Sequence, residues 1–150
     1  MEAELTLRIV VERPPAGVDF GLQKGSGGNY ETVQKQRSTT AELTFEFCAR
    51  VKQGKEGVPD LLGPFIQGPP KARFVYLDIG TCAGQTNTVW SRRLKVPLGG
   101  ITWDMINRVS NSSKALEARV DGTAKDGGPN CGTAKQFRGW KVKPLARLRT

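Results

Sequence analysis

The chain of 150 residues contains no histidine. That removes every Ser–His and Cys–His pair. It also removes the imidazole metal ligand and the side chain best suited to exchanging a proton near neutral pH. An enzyme built from this sequence would rely on carboxylates, lysine, tyrosine, a lone cysteine or backbone dipoles. Cysteine is scarce as well. Cys48, Cys82 and Cys131 are odd in number, widely spaced and outside any CxxC pair, so neither a disulfide framework nor a zinc site is expected. Long apolar runs are missing: Phe74 to Leu77 is cut by Asp78, far short of the about 20 residues that a spanning helix needs. The opening Met1-Glu2-Ala3-Glu4 carries acids where a signal peptide would be basic. The expectation is a cytoplasmic protein with no metal, no cofactor and no membrane span.

Acidic residues become sparse along the chain. Residues 1–75 hold 10 basic and 9 acidic side chains, whereas residues 76–150 hold 13 and 5. After Asp126, the last acid, come Lys135, Arg138, Lys141, Lys143, Arg147 and Arg149. Such a segment attracts polyanions, with an affinity that falls in salt. The competing reading is a solvated tail, frayed over 143–150, that aids solubility.

Glycine and proline are plentiful, at 18 and 9, and favour many turns between short strands. The length fits one domain, expected over 1–142. Leu5, Leu7, Ile9 and Val11 alternate with more polar residues, a period of two that marks a strand with one buried face. Leu43, Phe45, Phe47, Ala49 and Val51 repeat the pattern and put Cys48 on the polar side. Further strands are expected at Phe20 to Leu22, Tyr30 to Arg37, Pro64 to Gln67, Arg73 to Ile79, Trp90 to Leu98, Leu116 to Val120 and Gln136 to Val142. Arg73 to Ile79 is apolar on both faces and reads as a central, doubly covered strand. One helix is expected at 103–110, with Thr102 as N-cap, Asp104 in the first turn and Ile101 stapled onto Ile106. Seven to nine short strands and one helix describe an all-β fold, an antiparallel β-sandwich or small β-barrel.

No motif in the chain specifies a reaction. Gly25-Ser26-Gly27-Gly28 lacks both the spacing and the following helix of a phosphate loop. Cys131, flanked by Lys125 and Lys135, offers a thiol whose pKa nearby cations could lower, or simply a tight loop. The strongest constellation is central. Arg73, Tyr76 and Asp78 lie on or beside a strand, Gln85 follows in a small-residue loop, and Arg92 and Arg93 open the next strand. A few polar groups at the mouth of an apolar barrel are what small-ligand sites look like. The alternative makes Arg73 and Asp78 a structural ion pair and Arg92 and Arg93 a solvated edge.

Several segments resemble a known family. Arg8-Ile-Val-Val-Glu-Arg-Pro-Pro-Ala-Gly-Val-Asp-Phe-Gly-Leu-Gln23, Leu62-Gly-Pro-Phe-Ile-Gln-Gly-Pro-Pro70, Arg73-Phe-Val-Tyr-Leu-Asp-Ile-Gly80, Trp90-Ser-Arg-Arg-Leu-Lys-Val-Pro-Leu98 and Asp126-Gly-Gly-Pro-Asn-Cys131 are similar to an uncharacterised family of short bacterial proteins, a domain of unknown function. The resemblance covers residues 5 to 142. It implies a bacterial origin and one domain, and it brings no activity, cofactor or catalytic residue. The leading expectation is a non-enzymatic domain that binds a small ligand or a protein, with Arg73, Arg92 and Arg93 for an anion and Tyr76, Asp78 and Gln85 around it. A second expectation is single-stranded nucleic-acid binding by Lys135, Phe137, Arg138, Trp140, Lys141 and Lys143. A third is an enzyme using Cys131 or carboxylates.

Overall fold

Strict alternation decides which face of each strand is buried. In β4 (Leu43–Gln53) every second residue from Leu43 to Val51 is buried and Cys48 lies exposed between them. In β1 (Glu2–Glu12), Leu5, Leu7, Ile9 and Val11 face the same core. The computed structural model describes residues 2–14, 16–26, 29–39, 41–82, 92–110, 115–121 and 141–149. The other strands are β2 (Val18–Ser26), β3 (Asn29–Arg37), β5 (Pro59–Leu62), β6 (Phe74–Cys82), β7 (Arg92–Pro97), β8 (Ala115–Asp121) and β9 (Lys141–Arg149). The helix α1 spans Trp103–Ser110.

Two sheets result, in the orders β5-β4-β1-β8-β9 and β3-β2-β6-β7. All pairs are antiparallel except β1 with β8, which run parallel in the register Leu7 to Leu116 and Ile9 to Ala118. The inner faces of both sheets merge into one apolar cluster that includes Phe20, Phe45, Leu77, Ile79 and Leu116. The all-β sandwich is therefore the observed architecture, with one short helix and one parallel strand pair among the described residues.

The sheets also meet at their edges. A bulge in β3 opposite Gly21 puts Gln34 at φ 54°. Bulges re-aim side chains. Here the amides of Gln34 and Gln36 donate to the Glu46 and Thr44 carbonyls of β4, each at 2.8 Å. At the other seam β7 approaches β9. These two contacts give the sandwich a barrel-like outline.

The helix forms as its cap predicts. The Thr102 hydroxyl accepts from the Met105 amide at 3.2 Å, and Asp104 pairs with Arg108 one turn on. Ile101 and Ile106 are both buried. Trp103 donates its indole N–H to the Gly57 carbonyl at 2.7 Å, which ties α1 to the turn after β4.

Four expectations need correction. The strand expected at 64–67 lies instead at Pro59–Leu62, where it pairs with the end of β4. Gly63, at φ 155°, ends it, and only Gln67 bridges to Phe74. The strand Arg73 to Ile79 is central in its sheet but covered on one side only. Val75, Leu77 and Ile79 enter the core, while Phe74 and Tyr76 are half-buried on the outside. Arg73 and Asp78 do not pair. They are five apart, so the strand period sends them to opposite faces, and they bond to Asp60 and Arg93 respectively. Residues expected to fray at the C-terminus form β9, because hydrogen bonding to β8 gives their backbone a partner. The strand expected at 136–142 falls mostly on residues outside those described.

Candidate ligand-binding site

Three turns at one end of the sandwich enclose a cleft of about 950 Å³. The first turn closes the β4–β5 hairpin. Gly54 donates to the Val58 carbonyl at 2.7 Å, and the chain reverses through positive φ at Glu56 and Gly57. The second is a β-turn in which Ala72 donates to the Pro69 carbonyl at 2.9 Å, with Pro70 supplying the fixed φ that its second position favours. The third, Leu98 to Ile101, leads from β7 to the helix and is held by the Leu98 amide on the Arg73 carbonyl. Val58, Pro59, Leu61, Pro69, Pro70, Leu98 and Ile101 give the cleft apolar walls. Lys52, Lys55 and Lys71 stand exposed at its rim.

One ion pair builds the wall. Arg73 grips Asp60 with two parallel bonds, Nε to Oδ1 at 2.9 Å and Nη2 to Oδ2 at 3.0 Å. Its remaining arm, Nη1, donates to the Gly68 carbonyl. Bidentate pairing of this kind is strong and directional. Hydrogen bonding from the guanidinium holds the Asp60 carboxyl below the ordinary aspartate range and raises Arg73 in turn. A carboxylate whose pKa is lowered on folding stabilises the fold fully above its unfolded pKa. That contribution is lost as pH falls through the folded value. We therefore expect acid unfolding of Asp60→Asn to depend less steeply on pH than that of the parent below about pH 4. Chemical denaturation at stepped pH reads this, and parallel curves would contradict it.

A second polar cluster lies on the outer face of the four-stranded sheet. Asp78 is fully buried there and accepts from Arg93 Nε and from the Thr32 hydroxyl, both at 2.8 Å. With its oxygen toward the guanidinium, the Gln23 amide accepts from Arg93 Nη2 at 2.6 Å. The guanidinium sits 5.2 Å from the centre of the Tyr76 ring. Tyr76 meets Phe74 edge-on at 4.8 Å, and Lys95 lies 4.3 Å above Phe74.

The candidate residues thus divide between two places. Tyr76, Asp78 and Arg93 come together on the sheet, and Arg73 belongs to the cleft. Arg92 lies on β7 in register with Ile79. Gln85, Cys131, Lys135, Phe137, Arg138 and Trp140 lie outside the described residues, while Lys141 and Lys143 lie on β9. Sequence reasoning missed the lysines of the cleft. Their signal was present, since Lys52, Lys55 and Lys71 each neighbour a glycine or proline turn, but only the fold brings those turns together. Among the described residues no three cysteine or carboxylate side chains converge as metal ligands, and no helix is long and apolar enough to cross a membrane.

Residues 5–143 match the family model described as Family of unknown function (DUF5990). The chain belongs to that family. The match coincides with the segments that carry the resemblance in sequence and covers both the cleft and the Arg93 cluster. Among curated proteins and solved structures none matches the chain.

Proposed function

We propose that this domain binds a small anionic ligand with an apolar body in the cleft beside Arg73, without transforming it. The observation that carries the reading is the cleft itself, concave and apolar-walled, with three lysines at its rim against the single exposed carboxylate of Glu56. Its volume lies within the range of small-molecule sites, and sparse charge around apolar walls is their usual composition. Asp60 is clamped by Arg73 and held below the usual carboxylate range, a poor state for a group that must donate a proton. This supports binding over catalysis. The bacterial, cytoplasmic setting expected from the sequence belongs to the same proposal.

Anilinonaphthalene sulfonate, an aromatic body with one anionic group, is a suitable probe. Its fluorescence should rise on saturable binding to the folded protein. Lys52→Glu with Lys55→Glu should weaken that binding by roughly tenfold, since each exposed charge contributes a fraction of a kcal/mol to about 1 kcal/mol. Gly99→Leu offers a steric test. A Cβ at Gly99 meets nothing within 4 Å, so the larger side chain leaves the core undisturbed while narrowing the cleft. Equal affinity in the parent and all variants would show that the probe binds elsewhere.

A further inference from the structure

The sequences of β7 and β9 contain no acidic residue. Arg92-Arg-Leu-Lys-Val-Pro97 and Lys141-Val-Lys-Pro-Leu-Ala-Arg-Leu-Arg149 together hold seven cations, and the fold sets these two strands side by side at the seam between the sheets. Three carboxylates lie close to these strands. Asp78 holds Arg93, Asp121 holds Arg13 at 2.7 Å, and Glu117 lies beside Arg119 at 3.2 Å. Against these three acids the two strands bring seven cations to the seam.

Charge alone would suit any polyanion, but the β7 side also carries rings. Phe74 and Tyr76 alternate along β6 directly opposite Pro97 and Lys95. Tyr30, an exposed large hydrophobic side chain, lies on the same outer face, two residues from Thr32 on β3. Arg93 is half exposed although Asp78 and Gln23 fix its orientation, so its plane is presented ready-made. Arg93 and Lys95 project from one strand face roughly 7 Å apart, two strand residues. Unpaired bases recognise such surfaces by stacking on aromatic rings and guanidinium planes, with cations following the backbone.

We infer that the outside of the β7–β9 seam, from Arg93 and Lys95 to the basic strand β9, binds single-stranded nucleic acid. This site is separate from the cleft and does not depend on it. The test uses a fluorescein-labelled oligothymidine and the full chain, with anisotropy as the readout. Binding should be clear at about 50 mM salt and fall steeply by about 200 mM. Lys95 is exposed, so Lys95→Glu should fold normally, weaken binding and lower the salt slope by about one. Tyr76→Leu should weaken binding by roughly tenfold through lost stacking. The cleft variant Lys52→Glu with Lys55→Glu should bind the oligonucleotide as the parent does. Four outcomes would overturn the inference: no binding at low salt, equal affinity for a duplex of the same length, full competition by inorganic polyphosphate at equal charge, or an unaltered Lys95→Glu variant. The cleft reading stands or falls separately, on anilinonaphthalene sulfonate.

Discussion

Replacing Arg119 by methionine should destabilise the protein by about 3–5 kcal/mol, the usual cost of stranding a buried charge. Arg119 is buried on the outer face of the five-stranded sheet, where its Nη1 reaches Glu12 at 3.3 Å and Glu42 at 3.1 Å. Its Nε lies 3.2 Å from Glu117, a buried carboxylate. Arg8 joins the group through Glu46 and stands 3.9 Å from Glu117. Glu12, Glu42, Glu46 and Glu117 thus gather around Arg8 and Arg119 on this face. Methionine fills similar volume but withdraws the guanidinium that reaches Glu12, Glu42 and Glu117. The loss should be larger than at an exposed pair such as Asp104–Arg108, where it should stay below about 1 kcal/mol. The double variant Arg119→Met with Glu117→Leu should recover much of the loss, because it removes both buried charges together. Urea denaturation of the parent, both single variants and the double variant completes the cycle. A single-variant cost under about 1 kcal/mol would mean that water already solvates the cluster.

Much of this fold was legible in the sequence because alternation is a local signal. The pattern in β1 and β4 named the buried face residue by residue and placed Cys48 outside. The helix was legible from its cap. Its hydroxyl-to-amide bond involves residues three apart, and no tertiary partner is needed to form it. What could not be read was pairing. The parallel contact of β1 with β8 joins residues more than a hundred apart, and nothing in either strand specifies its neighbour. The partners of Arg73 and Asp78 show the same limit. Sequence proximity suggested that they pair, whereas the strand period separates them and the fold supplies Asp60 and Arg93. Tyr76, Asp78 and Arg93 do meet, because they lie on adjacent strands of one sheet face. The cleft escaped because its rim comes from three turns separated in sequence. The basic C-terminal run read as a tail because its chemistry is that of a solvated segment, while its role in β9 comes from hydrogen bonds to β8.

Gly68→Ala should be the most damaging glycine substitution around the cleft, at about 3 kcal/mol or more. Two costs combine. Gly68 has φ 90°, a backbone region that costs an L-residue about 1–2 kcal/mol. Its new Cβ would also stand 2.5 Å from the Ala72 carbonyl oxygen and 2.7 Å from the Phe74 ring, and overpacking of that kind adds about 1–3 kcal/mol. Neither neighbour moves freely. Gln67 and Phe74 exchange two backbone hydrogen bonds at 2.8 and 2.9 Å, and Ala72 is held in the Pro69 turn. Two nearby glycines separate the contributions. Gly100 has φ 84° with open space around it, so Gly100→Ala should cost only the backbone share. Gly99 has open space and no positive φ, so Gly99→Ala should stay within about 0.5 kcal/mol of the parent. The expected order of destabilisation, read by thermal or urea unfolding, is Gly68, then Gly100, then Gly99. Gly68→Ala should also loosen the cleft, because the Gly68 carbonyl receives Arg73 and so helps aim the guanidinium at Asp60. Anilinonaphthalene sulfonate binding should therefore weaken with Gly68→Ala and persist with Gly100→Ala. If the two variants were equally stable and bound the probe equally, the bridge between Gln67 and Phe74 would have to be loose enough to absorb the methyl group, and a rigid Arg73 wall would be ruled out.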